Sequence, residues 1–430
     1  MYAALELEKR LAHDPSVEVT LVNKDNFFLF TPMLHEVAAS DLDATNIVNP
    51  VRKLLRKVQF FNGPVDSADL VNKNVSVSHG NDGHGHVLYY DHLILALGTI
   101  TNFYNIPGLK ERALTIKSLG DAILLRNRLI ANLEEADFEC AAPEREQLLT
   151  FVVAGGGFAG VETIAGINDF LHDAVRYYPH LKKADLRVVL VHSGEVILPE
   201  LGEKLGRYAM EKLSKRNVEI MTGTRVVKID DNGVHLSNGT VIASDTLIWT
   251  AGTSPNPLMH SLTCKTDRGK LPVDEFLQVE GWPGVWAIGD CAVIPDLLTG
   301  KSCPPTAQHA LRQGKILAHN ILAEIRGGVK QRFRYKTIGQ LAAIGRRTGV
   351  ARIFGINFSG FFAWWLWRSI YLAKLPRVEK RLRVTLDWTL DLFFSKDLVQ
   401  LNTFRAPTVS HSMESGHNNQ GVLSPEEERS

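Results

Sequence analysis

A glycine-rich turn between an apolar run and a helical pattern is the stretch of this chain best suited to chemistry. Residues 151–154 are Phe-Val-Val-Ala, a β-branched run typical of a buried parallel strand. Gly155, Gly157 and Gly160 follow in the pattern G-x-G-x-x-G. In such a turn the first glycine permits the tight bend, the second lets the backbone approach a pyrophosphate, and the third lets the helix pack on the strand. Free N–H groups at a helix start bind phosphate, so the stretch predicts dinucleotide binding; the alternative is a glycine-rich turn that closes an ordinary βα unit.

Three further apolar runs end in glycine. They are residues 93–97, followed by Gly98-Thr99; residues 246–250, followed by Ala251-Gly252; and residues 285–288, followed by Gly289-Asp290. Ligands of open α/β sheets bind beyond the carboxyl ends of the strands. The position of Asp290 therefore predicts a contact with a ribityl chain or a pyrophosphate, and the alternative is an N-cap for the segment that follows.

A helix start rich in proline follows this aspartate. Pro304-Pro305-Thr306 precedes the run Ala-Gln-His-Ala-Leu-Arg-Gln at 307–313. Proline is favoured at the first positions of a helix because its missing N–H would have no partner there. We expect the positive end of this helix dipole to face an anionic reduced cofactor.

The acidic residue that usually ends the second strand of a dinucleotide fold is missing twice. Asn23 stands there after the strand predicted at 17–22, and His192-Ser193 stands there after the strand predicted at 186–191. An amide can donate to or accept from a ribose hydroxyl, but Asn23 is equally well explained as a polar loop residue. An acidic residue selects an unphosphorylated ribose, so the sequence leaves the choice between NADH and NADPH open.

Helical and strand patterns alternate along the chain, which predicts an α/β fold with parallel sheets. Helices are predicted at 2–12, 47–55 and 118–135. Asn232-Gly233 and Asn238-Gly239 are predicted hairpin turns. At 430 residues we expect two or three domains.

The composition excludes several classes of protein. Charged residues make up 22% of the chain and the formal net charge is +1, so no overall field points to nucleic acid. The four cysteines lie far apart with no C-x-x-C. This spacing argues against a disulfide framework, a zinc site or a dithiol redox centre, and no metal site is predicted.

The composition changes towards the carboxyl end. Residues 354–383 combine Trp364, Trp365 and Trp367 with several arginines and lysines. The uncharged part is shorter than the about 20 apolar residues that span a bilayer, and the mixture is typical of a helix lying among lipid headgroups. The alternative is a buried core helix or a dimer interface. Residues 406–430 are polar and are predicted to be disordered.

Taken in order, these motifs resemble the type II NADH:quinone oxidoreductases, also called alternative NADH dehydrogenases, within the two-dinucleotide-binding-domain flavoproteins. The resemblance covers about residues 1–404. Its most specific parts are the glycine turn, the three glycine-ended strands, the Ala-Gln-x-Ala-x-x-Gln run at 307–313 and the tryptophan-rich carboxyl segment. The last two point to the quinone-reducing branch rather than to a soluble reductase.

The resemblance implies two Rossmann-like, three-layer domains and a C-terminal amphipathic, membrane-associating region. The FAD-binding domain would comprise residues 1–108 and 255–325, and the NAD(P)H-binding domain residues 109–254. Residues 326–405 would form the membrane and quinone region, ahead of the tail. The resemblance also implies a homodimer that associates peripherally with the cytoplasmic face of the cell inner membrane.

The resemblance also implies the activity and the residues that perform it. Hydride would pass from NADH to FAD, and electrons would then pass to a membrane quinone without proton pumping. Glu162 matches a position beside the nicotinamide and flavin, and Gln308 and Gln313 match the motif of the quinone pocket. The expected cofactor-binding residues are Gly155, Gly156, Gly157, Gly160, Asn23, Ala96, Gly98, Thr99, Gly252, Gly289, Asp290 and Ala307.

One part of the family pattern is not found. The family's first strand and its own G-x-G-x-x-G, which hold the FAD pyrophosphate, do not occur before the helix predicted at 2–12. Either the encoded protein begins about 15–30 residues upstream, as a strand plus a turn requires, or the chain is truncated and binds FAD poorly. We expect the first, because the remaining motifs show no decay.

Two other functions fit parts of the sequence. A sulfide:quinone reductase shares the architecture and needs reactive cysteines near the flavin, for which Cys140 and Cys303 are the candidates. A nucleotide-binding, membrane-associated protein without flavin is the second alternative. The nicotinamide fingerprint favours the NADH-dependent enzyme over the first, since sulfide chemistry does not require it.

Overall fold

Parallel strands and helices alternate through most of the molecule, which confirms the predicted α/β fold. The computed structural model describes residues 1–11, 14–80 and 83–401. The strands are β1 (Thr20–Asn23), β2 (Phe27–Leu29), β3 (Val48–Pro50), β4 (Gln59–Asn62), β5 (Val65–Asp69), β6 (Asn74–His79), β7 (His84–Tyr89), β8 (Leu93–Leu95), β9 (Thr99–Thr101), β10 (Thr150–Ala154), β11 (Arg187–Val191), β12 (Val218–Met221), β13 (Val226–Asp230), β14 (Gly233–Leu236), β15 (Val241–Ile242), β16 (Thr246–Trp249), β17 (Thr253–Pro255), β18 (Leu271–Pro272), β19 (Val285–Ala287), β20 (Ala292–Val293), β21 (Gly339–Ala343), β22 (Gly349–Ile353) and β23 (Ile356–Gly360). The helices are α1 (Tyr2–Leu11), α2 (Leu34–Ala38), α3 (Val51–Leu54), α4 (Leu109–Arg112), α5 (Leu119–Phe138), α6 (Ala142–Leu148), α7 (Phe158–Ala174), α8 (Glu203–Ser214), α9 (Ala307–Arg326), α10 (Phe361–Lys374) and α11 (Val378–Leu390).

A four-stranded parallel sheet in the order β12-β11-β10-β16 carries the glycine turn. The side chains of β10 alternate between its two faces. Phe151 and Val153 pack in one core with residues of α5 and α7, whereas Val152 and Ala154 pack in another with residues of β13, β14 and β15. Because both faces are covered, every residue of β10 is buried, and this explains the unbroken apolar run in the sequence.

Two shorter parallel strand pairs are built from residues that precede and follow the four-stranded sheet in sequence. β1 pairs with β4, and β8 pairs with β19. Within the described residues no strand joins one pair to the other. α1 packs against α9 where Gly314 lets the backbones come close, since a Cβ on Gly314 would lie 3.0 Å from the backbone nitrogen of Ala3. Leu7 of α1 and Leu317 of α9 share one core.

The prediction of a helix over residues 47–55 is wrong in its first half. Residues 48–50 form β3, which pairs with β2, and helix α3 begins only at Val51. Pro50 accounts for the boundary, because the residue before a proline is sterically driven out of the helical region. By contrast, the turns at Asn232-Gly233 and Asn238-Gly239 do connect antiparallel strands, as predicted.

The C-terminal unit is a three-stranded antiparallel sheet, β21-β22-β23, followed by α10 and α11. The expectation of a helix within residues 354–383 is wrong for β23, and Gly360, with a φ of +76°, turns the chain from that strand into α10. Trp367 is fully buried on one side of α10, whereas Trp365 is half exposed on another. The interpretation as a core helix therefore describes the face of α10 that carries Trp367, and the interpretation as a surface helix describes the face that carries Trp365. The tail predicted at 406–430 lies outside the described residues.

The turn between β21 and β22 is fixed to α7. The backbone N–H of Arg346 donates to Asp169 of α7 at 2.8 Å. Arg216 pairs with the same carboxylate and donates to the carbonyl oxygen of Ile344 at 3.0 Å. The helix that follows the glycine turn thus also holds the C-terminal unit.

Candidate functional site

The first and last glycines of the fingerprint close the joint between β10 and α7. Gly155 has a φ of +124°, a conformation that side-chain-bearing residues avoid, and a Cβ there would collide with the hydroxyl of Thr250. A Cβ on Gly160 would overlap the carbonyl oxygen of Gly155. Both glycines are therefore required by backbone packing, as the sequence pattern predicts.

The two middle glycines have different surroundings. A Cβ on Gly157 would meet nothing within 4 Å, and Gly157 precedes α7 with no side-chain cap. Its neighbourhood is the open side of the turn, where N–H groups of the helix start are free to bind an anion. Gly156 donates its N–H to Nδ1 of His192 at 3.1 Å.

His192 occupies the strand end where an acidic residue was expected. Its ring lies against Gly156 and Gly194, and a Cβ on Gly156 would lie 2.5 Å from its Cγ. Burial lowers the pKa of His192, which favours the neutral imidazole that accepts from Gly156. The sequence identified this residue only as a departure from the pattern, whereas the structure makes it part of the turn.

A second cluster forms around the Gly289-Asp290 turn and the start of α9. Gly289 has a φ of +73° and donates its N–H to Oε1 of Gln313 at 2.9 Å. Asp290 lines a pocket together with Pro304 and Thr306, the residues just before α9. An aspartate, a glycine with positive φ and the positive end of a 20-residue helix thus share one pocket. These donors and acceptors suit a ribityl chain and its phosphates, and Ala307 begins the helix that faces them.

The two glutamines predicted at a quinone pocket both hydrogen-bond to protein. Gln308 donates from Nε2 to the carbonyl oxygen of Gly339 at 2.5 Å and accepts from the hydroxyl of Tyr335 at 2.9 Å. Gln308 therefore ties α9 to β21 of the C-terminal unit. Gln313 is 2% exposed and supports the turn of Gly289.

The other predicted cofactor-binding residues lie at strand ends. Asn23 ends β1, donates to the carbonyl oxygen of Asp25 at 2.7 Å and is half-buried. Ala96 and Gly98 follow β8, and Thr99 begins β9, which pairs with β17. The remaining member of the predicted set, Gly252, precedes β17 with a φ of +80° and lies against the ring of Tyr104.

Glu162, in the first turns of α7, faces the C-terminal unit. Its Oε1 accepts from Nε1 of Trp367 at 2.8 Å and from the backbone N–H of Ala343 at 3.1 Å. Nδ1 of His35 lies 3.9 Å from its Oε2. Burial raises the pKa of Glu162 to about 8, so this acid is largely protonated at neutral pH.

Sequence reasoning missed the residues that surround Glu162. His35 and Glu36 are both buried, on the short helix α2. The available signal was a polar pair inside the apolar run of residues 33–39, since buried polar side chains need specific partners. For Trp367 the alternative of a buried core helix is the correct one, because its side chain lies inside the protein.

The sequence matches two family models in succession. Residues 1–314 match the model described as pyridine nucleotide-disulphide oxidoreductase, and residues 338–397 match the NDH2 C-terminal domain. The type II NADH:quinone oxidoreductase Ndh of Mycobacterium tuberculosis is 33% identical over 405 residues, which cover 90% of this chain and 86% of that protein. The chain belongs to the type II NADH:quinone oxidoreductases.

Other members of this family match nearly the same extent. External NADH-ubiquinone oxidoreductase 2 of Saccharomyces cerevisiae mitochondria is 30% identical, with 92% of this chain and 80% of that protein covered. The structure of Plasmodium falciparum NDH2 in complex with NADH superimposes with a TM-score of 0.85 at 21% identity, over 93% of this chain and 97% of that one. The sulfide:quinone oxidoreductase of Aquifex aeolicus also shares the fold, with a TM-score of 0.68 at 17% identity over 91% of this chain and 92% of that one.

The glycine turn of this type II NADH:quinone oxidoreductase gives a matched pair of variants. Gly157→Ala adds a methyl group to open space at a φ of −79°, so the melting temperature should stay within about 2 °C of the wild type. The methyl group should displace the bound pyrophosphate and weaken NADH binding about tenfold, or about 1.4 kcal/mol. Calorimetric titration with NADH and thermal unfolding measure the two effects.

Gly160→Ala is the counterpart, because its methyl group would overlap the carbonyl oxygen of Gly155. We expect this variant to lower the free energy of unfolding by about 2–3 kcal/mol, as overpacking does. Unchanged NADH affinity in Gly157→Ala would show that the nucleotide does not use this turn.

Proposed function

We propose that this chain binds FAD and NADH as a non-proton-pumping NADH:quinone oxidoreductase associated with the membrane surface. The observation that carries the proposal is the arrangement of two nucleotide cradles whose helices, α7 and α9, both also contact the C-terminal unit. Glu162 joins α7 to that unit, and Gln308 joins α9 to it. NADH, FAD and the quinone would thus bind to parts of the protein that are directly connected.

The two nucleotides would use different parts of the molecule, and for FAD these hold the ribityl part only, because the family's second G-x-G-x-x-G is not found in this sequence. The open side of Gly157 and the start of α7 would hold the pyrophosphate of NADH. The pocket between Asp290 and the start of α9 would hold the ribityl chain of FAD, with Gly289 positioned by Gln313. Bound flavin supplies the chemistry of accepting a hydride and releasing electrons singly or in pairs, while the protein orients the partners.

The membrane-facing surface would be the exposed side of α10 and α11. Among the described residues, no helix combines the length and apolarity needed to cross a bilayer. The two helices and the turn after them instead leave large apolar side chains exposed: Phe361, Phe362, Trp365, Leu382, Leu386, Leu390, Phe393 and Phe394. Exposed cations, Lys374 and Arg383, lie on the same helices. Apolar side chains beside cations suit the headgroup region of an anionic bilayer.

The cysteines favour the NADH-dependent reaction over sulfide oxidation. Cys303 lines the pocket of Asp290, where burial raises the pKa of its thiol to about 11. A thiol with a raised pKa is a poor nucleophile at neutral pH, because the thiolate is the reactive form. Cys140 is exposed in the segment between α5 and α6 and is not among the residues that line this pocket.

Flavin spectroscopy tests the proposed reaction. The purified protein loaded with FAD should lose its visible flavin absorbance when NADH is added without oxygen, and should regain it when a quinone follows. Cys303→Ser should keep at least half of the NADH:quinone rate, because the thiol is protonated and takes no part. A flavin that does not bleach with NADH contradicts the proposal, and loss of the rate in Cys303→Ser favours the sulfide-type reaction instead.

Vesicle binding tests the proposed membrane surface. The double variant Trp365→Ser, Leu386→Ser removes one exposed apolar side chain from each helix and should lower the partition coefficient onto anionic vesicles at least tenfold. Phe138→Ser is the matched control, because Phe138 is 76% exposed at the end of α5 and should have no effect. Equal losses in both variants, measured by co-sedimentation, would place the contact elsewhere. We also propose that the protein is a homodimer on the cytoplasmic face of the inner membrane.

A further inference from the structure

Three histidines lie together at the turn end of the hairpin formed by β6 and β7. His79 is the last residue of β6 and stands directly opposite His84, the first residue of β7. His86 follows two residues later on β7, opposite Val77. Alternate residues of a strand and directly opposed residues of its neighbour share one face of a sheet, so the three imidazoles lie on the same face. The prediction of no metal site rests on the spacing of the cysteines and does not extend to these histidines.

The three rings have the separations of ligands around one metal ion. The ring centroids of His79 and His86 are 4.8 Å apart, those of His84 and His86 are 4.9 Å apart, and those of His79 and His84 are 5.5 Å apart. An imidazole nitrogen binds Zn²⁺ at about 2.0–2.1 Å, so three tetrahedrally placed rings would have their centroids about 3.2 Å from the ion and about 5.2 Å from one another. The observed separations lie on both sides of that value. The rings therefore need to turn to bind an ion, but they hardly need to move.

One nitrogen of this cluster is buried without a partner. Nε2 of His86 is inaccessible to solvent, and no described residue forms a hydrogen bond with it. The ring of His86 is surrounded by those of the other two histidines and by Phe61, which lies edge-on with its centroid 5.4 Å away. Leaving a buried polar atom unpaired is unfavourable, and structures usually supply such an atom with a partner. A cation held between the three rings would be that partner.

The ligand set determines which kind of ion fits. Imidazole nitrogens suit Zn²⁺, Cu²⁺ and Ni²⁺, whereas Ca²⁺ and Mg²⁺ require oxygen ligands. Among the described residues no three ligating side chains already converge on a point that could hold an ion. His79 and His84 are exposed, and exposed side chains change rotamer within nanoseconds. Rotation of these two rings towards His86 would complete the site without a change in the backbone of the hairpin.

We propose that His79, His84 and His86 bind one divalent transition-metal cation, such as Zn²⁺, at the turn end of this hairpin. The three imidazoles supply three ligands and water supplies the fourth, which gives a tetrahedral site with one exchangeable position. The ion would join β6 to β7, and β7 is the last strand in the order β5-β6-β7. None of the three histidines belongs to the glycine turn or lines the pocket of Asp290, so the inference does not rest on the proposed function.

Calorimetric titration of the 430-residue chain with zinc chloride, after a chelator has removed bound metal, tests the site. We expect the wild type to bind one ion per chain. His84→Gln removes one ligand and should weaken binding at least tenfold, since loss of a residue that merely supports a metal ligand already costs about 10–100-fold. His79→Gln should have the same effect. Both side chains are exposed, so the metal-free variants should melt within about 2 °C of the metal-free wild type.

The control variants remove other side chains that could take up zinc. His260→Gln alters an exposed histidine outside the hairpin, and Cys140→Ser removes the exposed thiol. The double variant His411→Gln, His417→Gln removes two histidines that lie outside the described residues. All three controls should keep the wild-type affinity and the stoichiometry of one ion per chain.

X-ray absorption at the zinc edge identifies the ligands in the wild-type protein loaded with one equivalent of Zn²⁺. We expect three imidazole nitrogens and one oxygen at about 2.0–2.1 Å, and no sulfur at about 2.3 Å. A sulfur ligand would overturn the inference, because it would place the ion on a cysteine. Absence of saturable binding in the wild type would also overturn it, as would equal zinc affinities in the wild type and His84→Gln, or a loss of affinity in a control variant.

Discussion

The indole N–H of Trp367 donates to Oε1 of Glu162 at 2.8 Å, and this contact fixes the C-terminal unit to α7, the helix that follows the glycine turn. The backbone N–H of Ala343 reaches the same oxygen, and Asp169 two turns later on α7 holds the β21-β22 turn. α7 begins at the glycine turn and cannot tilt without moving those partners. The glycine turn and the tryptophan-rich helix are therefore connected through α7, although they lie about 200 residues apart in sequence.

The sequence predicts the backbone of the glycine turn well because its geometry leaves few alternatives there. Gly155 and Gly160 are required by a positive φ and by the contact between helix and strand, and each requirement is visible as a residue type at a fixed spacing. The apolar run of β10 is similarly direct, because covering both faces of a parallel strand removes the alternation. Local rules suffice where one element and its immediate neighbour determine the residue.

Sequence-based prediction fails where a partner distant in sequence determines the environment of a side chain. Composition favours a headgroup-facing helix around Trp367 and leaves a buried core helix as the alternative, because no periodicity reveals that the indole has a buried partner in Glu162. The motif predicts a role for Gln308 at the quinone. The structure adds that its amide joins α9 to β21, which belongs to the C-terminal unit. The sequence does not predict a role for His35 and Glu36, because a polar pair only interrupts the apolar run. Its meaning becomes visible when the C-terminal helices are seen to cover it.

The opposite faces of α10 have a consequence for the molecule outside a bilayer. Trp367 and Trp365 belong to the same helix turn, one buried and the other half exposed. Turning the apolar face inward would withdraw an indole from Glu162 and leave a buried acid without its donor. In aqueous buffer the apolar side chains on the outer face of α10 therefore stay in contact with water. Detergent, or the same face of another copy, would cover them. The tendency of the protein to associate in solution thus follows from α10, the helix whose other face packs in the core.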